Sequence, residues 1–386
     1  MKNALKWIYI TGRNLLILLL LLEIVLGIYY YYHDKSGIDN NTERIISSGL
    51  YKGLNNTIVK EIHRELRQQD MQWEPYLHYS FIPFYGKHNT ILKNKQRKTY
   101  NPSKTDSLNP FKIFCFGGST MYSSGARDEF TIPSELSKLI AKEFPNKNIE
   151  VTNFGCHGYT RATENIQLQQ ELIKDNIPNL VIFYDGVNEV ISAHQNNKAG
   201  TPTNAYNRKK EFKIAHSYKK RIKLFITSSN LFRAITALQL KLRTNSYYSK
   251  LDARSDSLSI KIAKNYTGLV KISKSLENTY GFTVYNFLQP NIYSKKQLSE
   301  AEKRYYNLQK YYKNLYELSY KHIRKDLITI KDSTFTDISN VFNNTNKTIY
   351  FDFCHTGEFG NTLVAKKIFE TIKNNLPKND SLFSKP

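Results

Sequence analysis

Cysteine, tryptophan and methionine are scarce in this 386-residue chain, which contains three, two and three of them. The three cysteines do not have the Cys/His spacing of a zinc finger, so the sequence predicts no zinc site. Acidic residues are also few, since 33 Asp and Glu stand against 56 Lys and Arg, a formal charge of +23. Such an excess suits anionic partners. Without a zinc finger or an RNA-binding aromatic strand, it favours a generally basic surface over a nucleic-acid site.

Phosphate-binding glycine loops are missing as well. The sequence contains neither G-x-x-x-x-G-K-[ST] nor G-x-G-x-x-G, the loops that hold nucleotide phosphates in many proteins. We therefore expect no nucleotide site.

One long hydrophobic run is present over residues 15–32, with the sequence LLILLLLLEIVLGIYYYY. A helix of this length, at about 1.5 Å per residue, crosses a bilayer. Lys2, Lys6 and Arg13 precede it, so the positive-inside rule places residues 1–14 in the cytoplasm and the rest in the periplasm or outside the cell. A cleaved signal peptide begins similarly, but this run ends in four tyrosines and lacks a small-residue cleavage site. The sequence thus predicts an uncleaved, single-pass membrane anchor.

Glu23 interrupts the middle of this run, where a carboxylate is energetically costly and often functional. Three interpretations follow from the sequence. Glu23 is protonated, or it pairs with a partner helix, or it is tolerated because the many leucines around it offset its cost.

Residues 33–108 are polar and weakly periodic and end in KNKQRKTYNPSKTDSLNP, so we predict a juxtamembrane or linker region there. Over residues 109–378, short apolar runs alternate with amphipathic helices, a pattern typical of an α/β domain around a parallel sheet. The predicted strands cover residues 111–116, 149–154, 180–184 and 282–288. The predicted helices cover residues 132–144, 161–174 and 299–325, and a closing helix precedes a tail at residues 379–386.

A long helical insertion is predicted over about residues 192–280. It contains the basic segment RKKEFKIAHSYKKRIK, followed by apolar residues at helical spacing from Leu231 to Leu238. The pattern fits a lid, a patch lying on anionic lipid headgroups, or an ordinary helical excursion packed on the domain.

Polar residues follow three of the predicted strands, at the edge of an open sheet where sites form. The first strand leads into Phe-Gly-Gly-Ser-Thr, whose glycines permit a sharp turn and leave Ser119 at a helix start. There its Oγ can reach a base and its N–H can point at an oxyanion. The second strand leads into NFGCHGYT, where the N–H of Gly158 is a second candidate donor. The position of His157 in a turn near the site favours a structural or substrate-contact role over that of a base.

The third strand leads into Tyr-Asp-Gly-Val-Asn-Glu, where the side-chain amide of Asn188 can donate to developing negative charge. A fourth motif, Asp-Phe-Cys-His, stands just before the closing helix. A carboxylate three residues ahead of a histidine can fold back within one turn and hold the imidazole by Nδ1. The other ring nitrogen of His355 is then free to take a proton, with Asp352 as its orienting carboxylate.

These four motifs together resemble the SGNH (GDSL-like) hydrolase family, whose blocks carry Ser, Gly, Asn and Asp-x-x-His in this chain order. The resemblance covers residues 111–376. The chain is most similar to the membrane-anchored bacterial branch of the family, which has FGGST in place of GDS, and FLQPN at residues 287–291 also resembles that branch. It implies a three-layer α/β/α, flavodoxin-like hydrolase domain with a parallel sheet. One departure is that the family's usual Asn-Asp is here Asn188-Glu189.

Carried over by position, the resemblance implies a serine nucleophile at Ser119, a general base at His355 and an orienting carboxylate at Asp352. Ser119 N–H, Gly158 N–H and the Asn188 amide would form the oxyanion hole. The implied activity is two-step hydrolysis of carboxylic esters, which needs no metal or organic cofactor. Acetyl esters on a cell-surface glycan are the suggested substrate. An O-acyltransferase using the same triad, and a non-catalytic anchored module that binds glycan or assembles a complex, stay open as alternatives.

The three cysteines fall within or beside these motifs. In an oxidising compartment Cys156 and Cys354 are candidates for a disulfide that ties the two loops together, although sequence does not define connectivity. Cys115, on a predicted buried strand, is more simply a small core residue.

Overall fold

A computed structural model describes residues 2–102, 109–330 and 333–377. The chain divides into two compact units. The N-terminal unit comprises Met1–Arg44 and Tyr206–Leu251, and the sheet unit comprises Ile45–Ala205 and Asp252–Pro386.

The two kinds of regular element are numbered separately along the chain. Its helices are α1 Lys2–Ser47, α2 Asn56–Gln68, α3 Ser119–Tyr122, α4 Ile132–Glu143, α5 Arg161–Ile173, α6 Val187–Asn196, α7 Ala205–Ala215, α8 Tyr218–Thr227, α9 Asn230–Tyr280, α10 Glu300–Leu308, α11 Lys313–Thr329 and α12 Glu358–Ile372. Its strands are β1 Met71–Glu74, β2 His78–Phe81, β3 Phe84–Tyr85, β4 Thr90–Ile91, β5 Phe111–Gly117, β6 Ile149–Asn153, β7 Leu180–Asp185, β8 Thr283–Leu288 and β9 Phe335–Asp337.

A five-stranded parallel sheet in the order β6-β5-β7-β8-β9 forms the centre of the sheet unit. Its central strands are apolar on both faces because helices cover both sides, as parallel sheets require. The four predicted strands agree with β5, β6, β7 and β8 to within one residue at each end. The short edge strand β9 has no counterpart among the predicted elements.

Alternate residues of each strand serve two different cores. On β5, Ile113 and Cys115 face one side, where they pack with α4 and α12. Phe114 and Phe116 face the other side, where α5 covers them. Helices α6, α9 and α11 share a further buried cluster. The predicted three-layer α/β/α arrangement with a parallel sheet is therefore confirmed.

The predicted helix over residues 299–325 is divided. Helix α10 ends at Leu308, a short 3₁₀ turn follows at Lys310–Tyr312, and α11 then continues to Thr329. Residues 252–280 of the predicted insertion form the second half of α9, whose Leu258, Ile262 and Tyr266 are core residues of the sheet unit.

Much of the region predicted as a juxtamembrane linker, residues 33–108, is instead built into the sheet unit. Helix α2 begins at the cap Asn55, and two hairpins, β1-β2 and β3-β4, follow it. Arg97 is 1% exposed and donates to the carbonyl oxygens of Tyr122 and Ser123 at 3.0 and 3.1 Å. Buried polar hydrogen bonds of this kind order the segment together with buried apolar side chains such as Phe81 and Ile91. Helix α2 is amphipathic, with Val59 and Ile62 buried, so the prediction of a linker missed a pattern that the sequence does contain.

Helix α1 is apolar and long enough to cross a membrane, and none of its most apolar 18-residue stretch is buried. It continues beyond the predicted end of the span at residue 32, to Ser47. Within the N-terminal unit, the Glu23 carboxylate accepts hydrogen bonds from Asn230 and Leu231 at the start of α9. Glu23 is therefore paired with a helix of its own chain.

Candidate functional site

Ser119 lies at the carboxyl end of β5, as the first residue of α3. Two glycines make this turn possible. A Cβ on Gly117 would lie 2.6 Å from the carbonyl oxygen of Tyr184, and a Cβ on Gly118 would lie 2.1 Å from Asn188 Nδ2. The chain can thus approach β7 and its following loop closely enough to present a half-buried Ser119 there.

Asp352 and His355 form a tight loop just before α12. Asp352 Oδ1 accepts the backbone N–H groups of Cys354 and His355, at 2.8 and 2.7 Å. Its second oxygen, Oδ2, lies 2.5 Å from His355 Nδ1. Since a carboxylate accepts, Nδ1 carries the proton and Nε2 is the acceptor. The loop thereby fixes both the position and the tautomer of the imidazole.

His355 also reaches Ser119, although the two residues are far apart in the chain. Its Nε2 lies 2.6 Å from Ser119 Oγ. Asp352, His355 and Ser119 thus form one continuous hydrogen-bonded row, in which the imidazole stands between the carboxylate and the hydroxyl. The structure brings together these three residues that the sequence had singled out.

The charges of this row are coupled. Burial alone would lower the pKa of His355, but the charge and hydrogen bonding of the Asp352 carboxylate, together with those of the Cys354 side chain, outweigh burial and hold that pKa well above its usual value. Burial would likewise raise the pKa of Asp352, but the charge of His355 and the N–H groups that Asp352 accepts keep it below its usual value. The carboxylate therefore stays ionised and stabilises a proton on His355.

Asn188, the second residue of α6, and Gly158, in the loop after β6, lie beside this row. Asn188 Nδ2 donates to the carbonyl oxygen of Tyr159 at 2.6 Å and adjoins Gly118. Gly158 has a positive φ of 71°, and a Cβ there would lie 2.7 Å from the Tyr79 hydroxyl. The Asn188 amide, the Gly158 turn and the chain before Ser119 are thus neighbours.

His157 has a different environment from His355. Its Nε2 lies 2.9 Å from Ser124 Oγ, and its ring packs edge-on against Phe81 and Tyr122. Burial lowers the pKa of His157 to about 3. These contacts hold a neutral imidazole within the loop.

Glu189, in the first turn of α6, joins two loops of the site. It accepts the backbone N–H of Arg161 at 2.6 Å and that of Gly186 at 2.8 Å. Burial raises its pKa to about 7. Sequence reasoning assigned Glu189 no role, although a glutamate in the first turn of a helix is a signal for capping. One carboxylate thus links the start of α5, which follows the Gly158 turn, to the start of α6, which carries Asn188.

Arg161 continues this buried network behind the site. Its guanidinium is fully buried, donates to Asp185, Ser273 and Asn286 at 3.0, 2.7 and 2.7 Å, and stacks on Phe183 at 3.5 Å. A single arginine belongs to no motif, so this role could not be predicted from the sequence.

The disulfide considered between Cys156 and Cys354 is not formed, and all three cysteines are buried free thiols. Burial raises the pKa of Cys156 to about 12 and that of Cys354 to about 11. Among the described residues, Asp352, Cys354 and His355 place possible metal-ligand atoms within 4.8 Å of one another. In this cluster the acid and the imidazole already bind each other and the thiol stays protonated, a poor donor set for a metal.

No family model and no curated protein matches this chain. Among solved structures, it is similar to the acetyl xylan esterase AlAXEase, at 15% identity and a TM-score of 0.40 over 68% of this chain and 99% of that one. It is also similar to the acetylxylan esterase Axe2 of Geobacillus stearothermophilus, at 14% identity and a TM-score of 0.36 over 70% and 96%. A third similarity is to the α/β hydrolase LAE5 from the metagenome of Lake Arreo, at 11% identity and a TM-score of 0.35 over 68% and 94%.

Proposed function

We propose that this protein is a serine hydrolase that cleaves carboxylic esters, with Ser119 as nucleophile, His355 as general base and Asp352 as the orienting carboxylate. One observation carries the proposal: His355 stands between Asp352 Oδ2 at 2.5 Å and Ser119 Oγ at 2.6 Å. A hydroxyl, an imidazole and a carboxylate in one row are the arrangement that activates serine for acyl transfer.

The proposed reaction has two halves. His355 Nε2 takes the proton of Ser119 Oγ as this oxygen attacks the ester carbonyl. The tetrahedral intermediate then collapses, the C–O bond to the alcohol breaks, and the imidazolium protonates the departing alcohol. In the second half, His355 removes a proton from water, the water oxygen attacks the acyl-enzyme, and the acid leaves as Ser119 is reprotonated.

The oxyanion in both halves needs hydrogen-bond donors. We assign this role to the backbone N–H groups of Ser119 and Gly158 and to the Asn188 amide. Asn188 Nδ2 supports the assignment, because it adjoins Gly118 and is held by the carbonyl oxygen of Tyr159. An amide carries two hydrogens on that nitrogen, so one is left for the oxyanion.

We further propose that α1 spans the membrane between residues 15 and 32, with the N-terminus cytoplasmic and the sheet unit periplasmic or extracellular. An enzyme tethered there works close to the cell surface. The substrate we propose is accordingly a cell-surface glycan that carries ester-linked acyl groups, such as acetyl groups.

The proposal is tested by labelling full-length protein in detergent with a fluorophosphonate probe. The activated Ser119 Oγ is expected to displace fluoride and form a covalent phosphonyl ester. Mass spectrometry should place the label on the peptide that contains Ser119. Ser119→Ala and His355→Ala are expected to remain unlabelled, because one lacks the nucleophile and the other lacks its base.

Circular dichroism of each sample shows whether the variant is folded. A folded wild-type protein that does not react with the probe would overturn the hydrolase proposal. The non-catalytic binding module would then take its place.

Removing the Asn188 donor is expected to lower kcat by about 10²–10³-fold, with a smaller change in KM, because the donor acts on charge that develops in the transition state. Asn188→Ala removes the amide. Gly118→Ala keeps the amide but places a methyl group 2.1 Å from its nitrogen, so the amide must move. Steady-state kinetics with a p-nitrophenyl ester measure both variants.

Gly268→Ala is the matched control, because a Cβ at this helical glycine meets nothing within 4 Å. It is expected to keep wild-type kinetics. If Asn188→Ala raised KM and left kcat unchanged, Asn188 would bind the ground state of the substrate and the oxyanion assignment would be wrong.

A further inference from the structure

Glu23, in the middle of the apolar run, is held by the start of another helix of the same unit. Its carboxylate accepts the backbone N–H of Asn230 at 2.6 Å, the side-chain amide of Asn230 at 2.9 Å and the backbone N–H of Leu231 at 3.0 Å. The first N–H groups of a helix have no partner within the helix and carry partial positive charge. Here they satisfy a carboxylate that has few polar alternatives in a leucine-rich segment.

Further contacts show that the start of α9 runs beside α1 in the same direction. The Asn230 amide lies 3.2 Å from the position of a Cβ on Gly27, so the glycine permits close approach. One turn later, Arg233 donates to both carboxylate oxygens of Asp34 at 2.9 Å each, and its guanidinium lies 3.9 Å from the ring centre of Tyr30. Two helices of the N-terminal unit are therefore joined from Glu23 to Asp34.

These contacts define how deep the start of α9 lies in the membrane. Glu23 precedes Tyr32, the last residue of the proposed span, by a helical length of about 13 Å. If α1 crosses the bilayer, Asn230 and Leu231 lie at the level of Glu23, inside the hydrocarbon.

The sequence that leads into α9 changes from basic to apolar at about residue 224. Residues 206–223 contain eight basic residues and one acidic residue, whereas residues 224–238 contain one charged residue, Arg233, which is paired with Asp34. The exposed side chains of residues 224–238 are largely apolar, and Phe225 is 81% exposed. The others are Leu224, Ile226, Ile235 and Leu238.

The turn between α8 and α9 is polar in sequence, but its hydroxyls are satisfied locally. Thr227, Ser228 and Ser229 each donate to the carbonyl oxygen three residues earlier, at 3.2, 3.0 and 2.9 Å. Ser229 Oγ also accepts the N–H of Phe232 at 3.1 Å. Backbone and hydroxyl groups that find partners within their own segment are what the hydrocarbon requires of a buried turn.

We propose that residues 224–238 enter the lipid bilayer beside α1 as a re-entrant segment, with the basic residues 206–223 on anionic headgroups. The proposal rests on the membrane span proposed for α1. Lipid matches both halves of the segment, since the exposed apolar side chains suit acyl chains and the eight basic residues suit phosphate groups. Glu23 then joins the two membrane segments.

The depth of single residues can be measured by spin labelling. Full-length Phe225→Cys, Leu20→Cys and Ile173→Cys are labelled and reconstituted into phosphatidylethanolamine–phosphatidylglycerol vesicles. Collision rates with oxygen, which partitions into lipid, and with a water-soluble nickel chelate are then compared. Unsubstituted protein gives the background, because its three cysteines are buried. Phe225→Cys is expected to give the same high oxygen-to-nickel ratio as Leu20→Cys. Ile173→Cys, on the exposed surface of the sheet unit, is expected to give the low ratio of a site in water.

Two results would overturn the proposal. A nickel-accessible Phe225 site would place it in water, and a site that neither reagent reaches would show that protein, such as a second copy, covers the segment. A low ratio at Leu20 would instead overturn the membrane span itself, so the two failures are distinguishable.

The role of Glu23 is tested in the same Phe225→Cys background. Glu23→Leu removes the acceptor of all three hydrogen bonds and is expected to shift the Phe225 ratio toward that of water. Glu23→Gln keeps one oxygen acceptor and is expected to shift it less. An unchanged ratio in Glu23→Leu would contradict the part of the proposal that assigns Glu23 to joining the two segments.

Discussion

Ser119→Ala and His355→Ala are each expected to lower kcat for ester hydrolysis by about 10⁴-fold or more. In the proposed mechanism Ser119 supplies the oxygen that bonds to the acyl carbon, and an alanine offers none. His355 Nε2, 2.6 Å from that oxygen, is the group placed to remove its proton. Without it the hydroxyl is a weak nucleophile near neutral pH.

The double variant should be scarcely less active than either single one. Residues that act as one unit give strongly non-additive losses, because removing either of them already disables the shared step. The residual rate then comes from substrate binding and the oxyanion donors. Steady-state rates of all three variants with a p-nitrophenyl ester test this expectation.

A second serine–histidine pair in the same unit provides the matched control. Ser124 Oγ lies 2.9 Å from His157 Nε2, but burial lowers the pKa of that imidazole to about 3, which makes it a weak base. Ser124→Ala is therefore expected to retain activity within a few fold of wild type. If activity and probe labelling disappeared in Ser124→Ala and persisted in Ser119→Ala, the nucleophile would have been assigned to the wrong serine.

The sheet and the row of three residues were accessible to sequence reasoning for definite reasons. The central strands are short apolar runs bounded by polar turns, and their ends agree with prediction to within a residue. Asp352 and His355 are three residues apart, which one loop can close. Only the meeting of His355 with Ser119 required tertiary structure, and the resemblance to the SGNH family supplied that expectation.

Other features had no sequence signal. Arg97 and Glu65 order the segment after α1 through buried hydrogen bonds with backbone groups. The Glu65 carboxylate, for example, accepts the backbone N–H groups of His88 and Asn89 at 2.9 Å each. The contact between Glu23 and Asn230 joins residues far apart in the chain. Pairings of this kind follow from the folded geometry and leave no periodic pattern, so the sequence presented Glu23 only as an anomaly with several explanations.

Asp352→Asn is expected to lower the maximal rate by about 10⁴-fold, although it changes only one atom and the charge. The backbone N–H groups of Cys354 and His355 both point at Oδ1, so the amide of the variant must keep its oxygen there. Its NH₂ group then faces His355 Nδ1. A donor at that place forces Nδ1 to accept, and the proton moves to Nε2, where it prevents uptake of the serine proton.

The pH dependence separates this loss from a merely structural one. In the proposed mechanism neutral His355 is the active base, so kcat/KM is expected to rise with pH as His355 loses its proton, and the Asp352 carboxylate raises the pKa of His355. The wild-type limb is therefore expected above the usual histidine pKa of about 6.5. In Asp352→Asn the charge is gone while burial, which lowers the pKa of His355, remains, so the limb should move to lower pH.

Asp352→Ala and Asp337→Asn complete the comparison, and pH-rate profiles of all the variants are measured with the same p-nitrophenyl ester. Alanine removes the charge without imposing the wrong tautomer, so its limb should also move down while its maximal rate is at least that of Asp352→Asn. Asp337 pairs with Arg324 in the same unit, and Asp337→Asn is expected to keep the wild-type profile. A limb that stayed in place in Asp352→Asn would mean that Asp352 does not control the protonation of His355. The row would then be a structural hydrogen-bond chain, and its catalytic assignment would be wrong.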